Sequence, residues 1–137
     1  MAKSTLPRIN DCKVLEVISH EGKPSRGKLH VTELRKSFRR AFWFTCVGQN
    51  EKRGDHSLRL TTQVFLALTG CADLVLEDLT GATETFHLTP EVAVEVPPMI
   101  WRTMERFTPG AIIVVFCDST YNPSEYIQTK EIWRRFT

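Results

Sequence analysis

The run Arg53-Gly54-Asp55-His56-Ser57-Leu58-Arg59-Leu60-Thr61-Thr62-Gln63, continued by the apolar stretch Val64 to Leu68 and then Gly70, decides how the rest of the chain is read. It describes a polar loop feeding a buried strand that carries one histidine into whatever cavity the fold encloses. In a strand, residues two apart share a face, so His56, Leu58 and Leu60 are expected to point together into the interior while Ser57 and Arg59 face away. Such a strand belongs to a small β-barrel and has a binding or catalytic task.

On either side of it, short segments rich in Val, Ile, Leu and Phe recur with turn residues between them, the pattern of an antiparallel sandwich or barrel. Strands are predicted at Lys13–Ser19, Lys28–Leu34, Ala41–Val47, Gln63–Thr69, Ala72–Glu77, Thr83–Leu88, Val92–Val96 and Ala111–Cys117. Asp78-Leu79-Thr80-Gly81 supplies a hairpin turn. Phe86 and Leu88 alternate with Thr85 and His87, which means one buried and one wet face. Ala111 to Phe116 is apolar throughout, so both of its faces should be covered.

Pro97-Pro98 blocks regular pairing and marks a bend before Trp101. In the tail, Tyr126, Ile127, Lys130, Trp133 and Phe136 recur at helical spacing, which predicts a short helix within Pro123–Phe136 packed on the barrel. The predicted fold is all-β, a cupin-type jelly-roll barrel with a short C-terminal helix, built as one domain over residues 1–137.

Composition sets the outer limits. With 42% hydrophobic and 25% charged residues, the chain has the profile of a globular protein, and no apolar run approaches the roughly 20 residues of a spanning helix. Residues 1–8 lack the apolar core of a secretory signal, and a cytoplasmic location is expected. Four cysteines without a CxxC pair speak against a zinc ribbon or redox motif and suit free thiols. Net charge is only +2. Basic residues do cluster from Arg26 to Arg40, either a solvated face or an attraction for phosphates, but without aromatic residues interleaved on an exposed sheet or a recognition helix no nucleic-acid partner is expected.

A metal-binding cupin requires His-x-His, an acid four residues on, a glycine after six more, and a third histidine beyond a later proline turn. His56-Ser57-Leu58, Gln63 and Gly70 match that spacing, and Arg102 takes the later histidine position. Only His56 keeps a good donor; Leu58 cannot bind, Gln63 is a poor neutral ligand and Arg102 is a permanent cation. No metal and no other cofactor are expected. His20, His30 and His87 have no ligand spacing and read as surface or strand histidines. His56, as a lone imidazole with an ordinary pKa of about 6.5, suits proton abstraction next to a carbonyl at neutral pH.

Taken together, Arg53 to Leu58 followed by Gln63, the upstream Arg40-Ala41-Phe42-Trp43, the Pro97-Pro98-Met99-Ile100-Trp101 turn, and Tyr121 with Tyr126-Ile127 resemble the nucleotide-sugar 3,4-ketoisomerases of the cupin superfamily, also called the WxcM-like domain. The resemblance runs from about Arg26 to Trp133. It implies a metal-free homodimer with exchanged N-terminal strands, no membrane association, and a cavity for a TDP-4-keto-6-deoxy sugar whose ketone moves from carbon 4 to carbon 3 through an enediol. In that family the Arg-Gly motif ends in a histidine pair taken to move the protons.

Arg102 stands where many relatives have another residue and is expected to stabilise the enolate oxygen electrostatically; the resemblance itself gives His56 as the catalytic base. It also assigns Arg40 and Arg53 to the diphosphate, Trp43 and Trp101 to stacking on the thymine or sugar, and Gln63 to a hydrogen bond with the sugar or with His56. Tyr121 and Tyr126 read as structural. This chain departs from the pattern at Leu58, which cannot carry a proton, and at Phe42-Trp43, where a tyrosine is usual. Three outcomes fit the departure: the same isomerisation with one histidine and water, a variant reaction, or an impaired cupin that binds the nucleotide sugar or serves as a partner subunit.

Overall fold

The structure, a computed structural model, describes residues 6–137. The first part of the N-terminal stretch read above as lacking a secretory signal therefore lies outside the described residues.

Two antiparallel sheets face each other and enclose the core. The strands are β1 (Lys13–Leu15), β2 (Val17–Glu21), β3 (Lys28–Thr32), β4 (Arg40–Phe44), β5 (Arg53–Leu58), β6 (Gln63–Thr69), β7 (Ala72–Glu77), β8 (Thr83–Leu88), β9 (Ala93–Val96), β10 (Trp101–Glu105), β11 (Ile112–Cys117) and β12 (Tyr126–Ile127), and the helix α1 spans Lys130–Arg134. One sheet runs β1-β9-β6-β11-β4 and the other β12-β5-β10-β7-β8, while among the described residues β2 and β3 pair only with each other. This is the expected jelly-roll, with period-2 patterning choosing the inward face of each strand.

On β6 and β11, Phe65, Ala67, Ile113, Val115 and Cys117 meet Ala72, Leu74, Leu76 and Met104 of the opposite sheet in one core cluster. The outer side of the first sheet carries a second layer, with Leu15, Val64 and Ala93 buried against Val17, Phe38, Leu66 and Phe116. Ile113, Val114 and Val115 are all buried, as a strand apolar on both faces requires. The hairpin at Asp78 also forms: its carboxylate accepts from the N–H groups of Thr80 (2.8 Å), Ala82 (3.1 Å) and, across the molecule, Ile9 (2.7 Å).

Several expectations need correction. The stretch predicted as one strand over Lys13–Ser19 is two, β1 joining the first sheet through β9 and β2 leaving it to pair with β3. Three strands escaped the strand count: β5; β10, whose Trp-Arg-Thr-Met-Glu composition follows the double proline and lacks an apolar run; and the two-residue β12. Leu60 does not enter the interior; β5 ends at Leu58 and Leu60 is 70% exposed beyond it.

The tail is helical only over Lys130–Arg134, where Thr129 caps the first turn by accepting from the Ile132 N–H. Upstream, Pro123–Glu125 forms one 3-10 turn and Tyr126 and Ile127 pair with Leu58 and Ser57 of β5. Strand pairing wins there because Glu125 is buried and bound to the β5–β6 connection, accepting from Thr61 N–H at 3.0 Å and Thr61 Oγ1 at 2.8 Å. Trp133 still packs as the helical spacing required. It is fully buried against Trp101 and donates its indole N–H to the Met99 carbonyl at 2.9 Å.

Candidate active site

β4, β5, β6 and β10 converge on one end of the barrel, where a cavity of about 740 Å³ opens. Alternation on β4 turns Arg40, Phe42 and Phe44 into it; on β10 it turns in Arg102 and Met104; on β6, Gln63 and Phe65. Between β5 and β10 the register slips, since Arg102 pairs with His56 but Thr103 with Gly54. The extra residue is Asp55, a bulge that sits with Gly54 in left-handed backbone (φ 57° and 86°). At Gly54 a Cβ would lie 3.1 Å from the Arg102 carbonyl oxygen, so the bulge needs glycine there.

That bulge fixes the histidine. His56 Nδ1 lies 3.0 Å from the carbonyl oxygen of Gly54. A carbonyl only accepts, so Nδ1 carries the hydrogen and Nε2 keeps its lone pair free to take a proton. Burial, seconded by the positive charge of Arg102, pushes the imidazole pKa below its usual 6.5, and the hydrogen bond to Gly54 only partly opposes this. His56 is therefore a neutral base at physiological pH, with its tautomer set by the backbone.

Arg102, its ladder partner, is 1% exposed. Nη1 donates to Gln63 Oε1 at 2.8 Å, and Nη2 to the carbonyls of Ile100 (2.9 Å) and Pro97 (3.3 Å). Every one of these acceptors is neutral. Burial pushes its pKa down to about 10, which leaves the guanidinium charged at neutral pH without a bound carboxylate beside it. Gln63 completes the contact by donating from Nε2 to Cys117 Sγ at 3.3 Å, so its amide is oriented by what it binds on both sides.

Arg40 sits nearby, its Nη2 3.4 Å from the same Cys117 Sγ and its guanidinium 5.3 Å from the Tyr121 ring centre. Burial works against its charge, but hydrogen bonding to Cys117 and Tyr126 outweighs that and pushes its pKa up. Its Nε is buried with no protein partner among the described residues. Arg53 stacks over Phe44 at 4.7 Å, and Lys52 pairs with Glu105 at 3.4 Å near the rim. Four cations and a histidine thus line the cavity, and among the described residues no carboxylate does. Such a site draws an anion, and burying a phosphate there would relieve the uncompensated charges.

His56, Arg102, Arg40, Arg53 and Gln63 are therefore brought together. Trp43 and Trp101 are not. Each sits one position out of phase with its inward-facing neighbours: Trp43 is 64% exposed on the outer side of β4, and Trp101 is buried on the outer side of β10 under α1. The indole of Trp101 donates to Asp55 at 3.2 Å and so braces the bulge from behind. Two tyrosines read as structural do line the cavity, Tyr121 and Tyr126, the latter with its ring centre 5.0 Å from that of His56. The alternation that would have placed Tyr126 was hidden by helical spacing across a two-residue strand.

Around His56, Leu58, Gln63 and Arg102 offer a divalent ion a single imidazole, and among the described residues no three His, Cys, Asp or Glu side chains gather to hold one. His20, His30 and His87 lie exposed on strands away from the cavity.

A jelly-roll barrel with a cationic, partly apolar cavity organised around one neutral histidine defines a small-molecule-binding cupin. More particularly, the chain belongs to the family described as FdtA: WxcM-like, C-terminal, whose model matches residues 10–137. A curated relative, the TDP-4-oxo-6-deoxy-alpha-D-glucose-3,4-oxoisomerase of Aneurinibacillus thermoaerophilus, is 26% identical over 116 residues, covering 82% of this chain and 84% of that one. Among solved structures, the WlaRB TDP-quinovose 3,4-ketoisomerase from Campylobacter jejuni superposes with a TM-score of 0.83 at 25% identity, covering 93% of this chain and 99% of its own. The QdtA sugar 3,4-ketoisomerase from Thermoanaerobacterium thermosaccharolyticum, solved in complex with TDP, gives 0.82 at 21% identity over 93% and 95%.

Proposed function

We propose that this chain is a sugar-nucleotide 3,4-ketoisomerase of deoxysugar biosynthesis. It shifts the ketone of a TDP-4-keto-6-deoxyhexose from carbon 4 to carbon 3 through an enediol, and no metal takes part. The observation that carries this reading is His56, held by Gly54 as a neutral base with Nε2 free, in a cationic cavity.

His56 Nε2 takes the proton from carbon 3. The electrons of that C–H bond form the C3–C4 double bond and the oxygen on carbon 4 becomes an enolate, which the charge of Arg102 stabilises. A proton then passes from the oxygen on carbon 3 to the oxygen on carbon 4, the ketone forms at carbon 3, and carbon 4 is protonated. Hydrogen moves within the substrate and no oxidant is consumed. Arg40 and Arg53 suit the diphosphate, and Gln63 positions Arg102. The impaired, binding-only cupin is disfavoured because the base survives and the relatives above are named isomerases.

A homodimer with exchanged N-terminal strands also belongs to this proposal. The β2–β3 hairpin pairs with neither sheet of its own chain and exposes Ile18, Leu29 and Val31 beside an apolar groove against Leu66, Leu68 and Phe116. Four free thiols, one of them the exposed Cys46, suit the reducing cytoplasm.

Incubation with TDP-4-keto-6-deoxyglucose in deuterium oxide tests the activity. The expected result is a 3-keto product carrying deuterium at carbon 4, with deuterium exchanged into carbon 3 of the recovered substrate, both lost in His56→Asn. Binding of the nucleotide sugar with neither exchange nor product would overturn it.

A further inference from the structure

The reaction proposed above needs a proton taken at carbon 3 and a proton given at carbon 4. His56 accounts for the first. The next residue on its face, Leu58, has no proton to give, and every other imidazole lies away from the cavity. The register partner of Leu58 on the neighbouring strand is Tyr126. Its ring lies against His56, with centres 5.0 Å apart, and against Tyr121, with centres 5.8 Å apart.

We propose that Tyr126 is the second catalytic residue of this site, the acid that protonates carbon 4. The other proton carriers in the cavity are less suited. Arg102 commits its N–H groups to Gln63, Ile100 and Pro97; Lys52 is spent on Glu105 at the rim; Tyr121 is 64% exposed. Tyr126 is half-buried beside the base and lines the same cavity as the Arg40 and Arg102 guanidiniums.

The step balances. The Tyr126 O–H bond breaks as the C4–H bond forms from the enediol electrons, and the phenolate then recovers a proton from the His56 imidazolium, directly or through one water. Both groups return to their starting states.

The position of Tyr126 is held by its neighbours. Glu125 ties the preceding residue to Thr61, and Ile127 packs with Met99, Trp101 and Trp133 on the outer side. The phenol is thus aimed by two anchored flanks, as a group acting on one substrate carbon needs to be.

The inference rests on the isomerase reading, and Tyr126→Phe separates the two. The ring and its packing remain, so the variant should bind TDP within about threefold of the parent affinity and melt at the same temperature. Its kcat should fall about 100-fold or more while deuterium exchange at carbon 3, which His56 alone performs, persists. Adding Leu58→His, which places a second imidazole across the ladder, should restore part of the lost turnover. Parent-like kcat in Tyr126→Phe would overturn the inference and leave the isomerase standing, as would loss of exchange together with product. Absence of both exchange and product in the unmodified protein would overturn the isomerase itself.

Discussion

His56 and Arg102 are partners across the β5–β10 ladder, a base beside a buried cation, and the cation lowers the proton affinity of the base. Burial does most to lower the His56 pKa and Arg102 adds to it. The acid limb of kcat/KM should therefore lie below pH 6.5, with the rate flat from there through neutral pH. Arg102→Gln removes the second cause, so the limb should move up. A limb at or above 6.5 in the unmodified protein contradicts this assignment. The same shift acts on stability: the neutral imidazole is favoured in the folded state, so its contribution is complete above about pH 6.5 and is shed as pH falls below that toward the folded value.

Arg102 has a structural duty too. Its guanidinium satisfies the Gln63 side chain and two backbone carbonyls, all deep in the barrel. Arg102→Met leaves those acceptors dry, which costs about 1–3 kcal/mol, partly offset because a buried charge is removed as well. Chemical denaturation of Arg102→Met beside Arg102→Met/Gln63→Leu checks it: the double variant should regain stability over the single one.

At the entrance, the Arg53 guanidinium is held among the described residues by the Phe44 ring, so its contribution should be to binding. Arg53→Met should raise KM about tenfold, or roughly 1.4 kcal/mol, with kcat nearly unchanged, and the penalty should shrink at high salt. A fall in kcat at constant KM would place Arg53 in the chemistry instead.

Gly70 closes the turn from β6 to β7 with φ at 71°, and a Cβ there would come within 2.7 Å of Ala111 Cα and Thr108 Oγ1. Backbone strain and overpacking together put the cost of Gly70→Ala at about 3 kcal/mol, a Tm loss of about 10 °C. Calorimetry decides it. Because the site lies at the other end of these strands, kcat per folded molecule should hold.

How much of this was visible in the residues alone depends on how local the signal was. His56 and Gln63 could be placed because a histidine opening and a glutamine entering an apolar run fix their own strand phase, and the Asp78 turn carries its chemistry within four residues. Trp43 was misplaced for want of one residue of register, since its strand begins at Arg40 and that arginine sets the inward phase. β10 went unseen because its inward residues are one arginine and one methionine, and the meaning of a buried arginine lies in the carbonyls that receive it. Tyr126 was hidden most deeply. Its strand is two residues long and exists only because β5 and the Glu125 carboxylate are there to hold it, contacts more than sixty residues away in sequence.

That last pairing also sets an order of events during synthesis. β5 leaves the ribosome early, but its outer edge stays open until residues 126 and 127 arrive, and an unpaired edge is a place for another chain to add. Any nascent or truncated chain ending before Tyr126 carries the base without its neighbouring phenol and the strand without its cover. The pocket is thus completed by a segment that emerges well after β5, so that binding competence and protection from aggregation come together, on the same two residues.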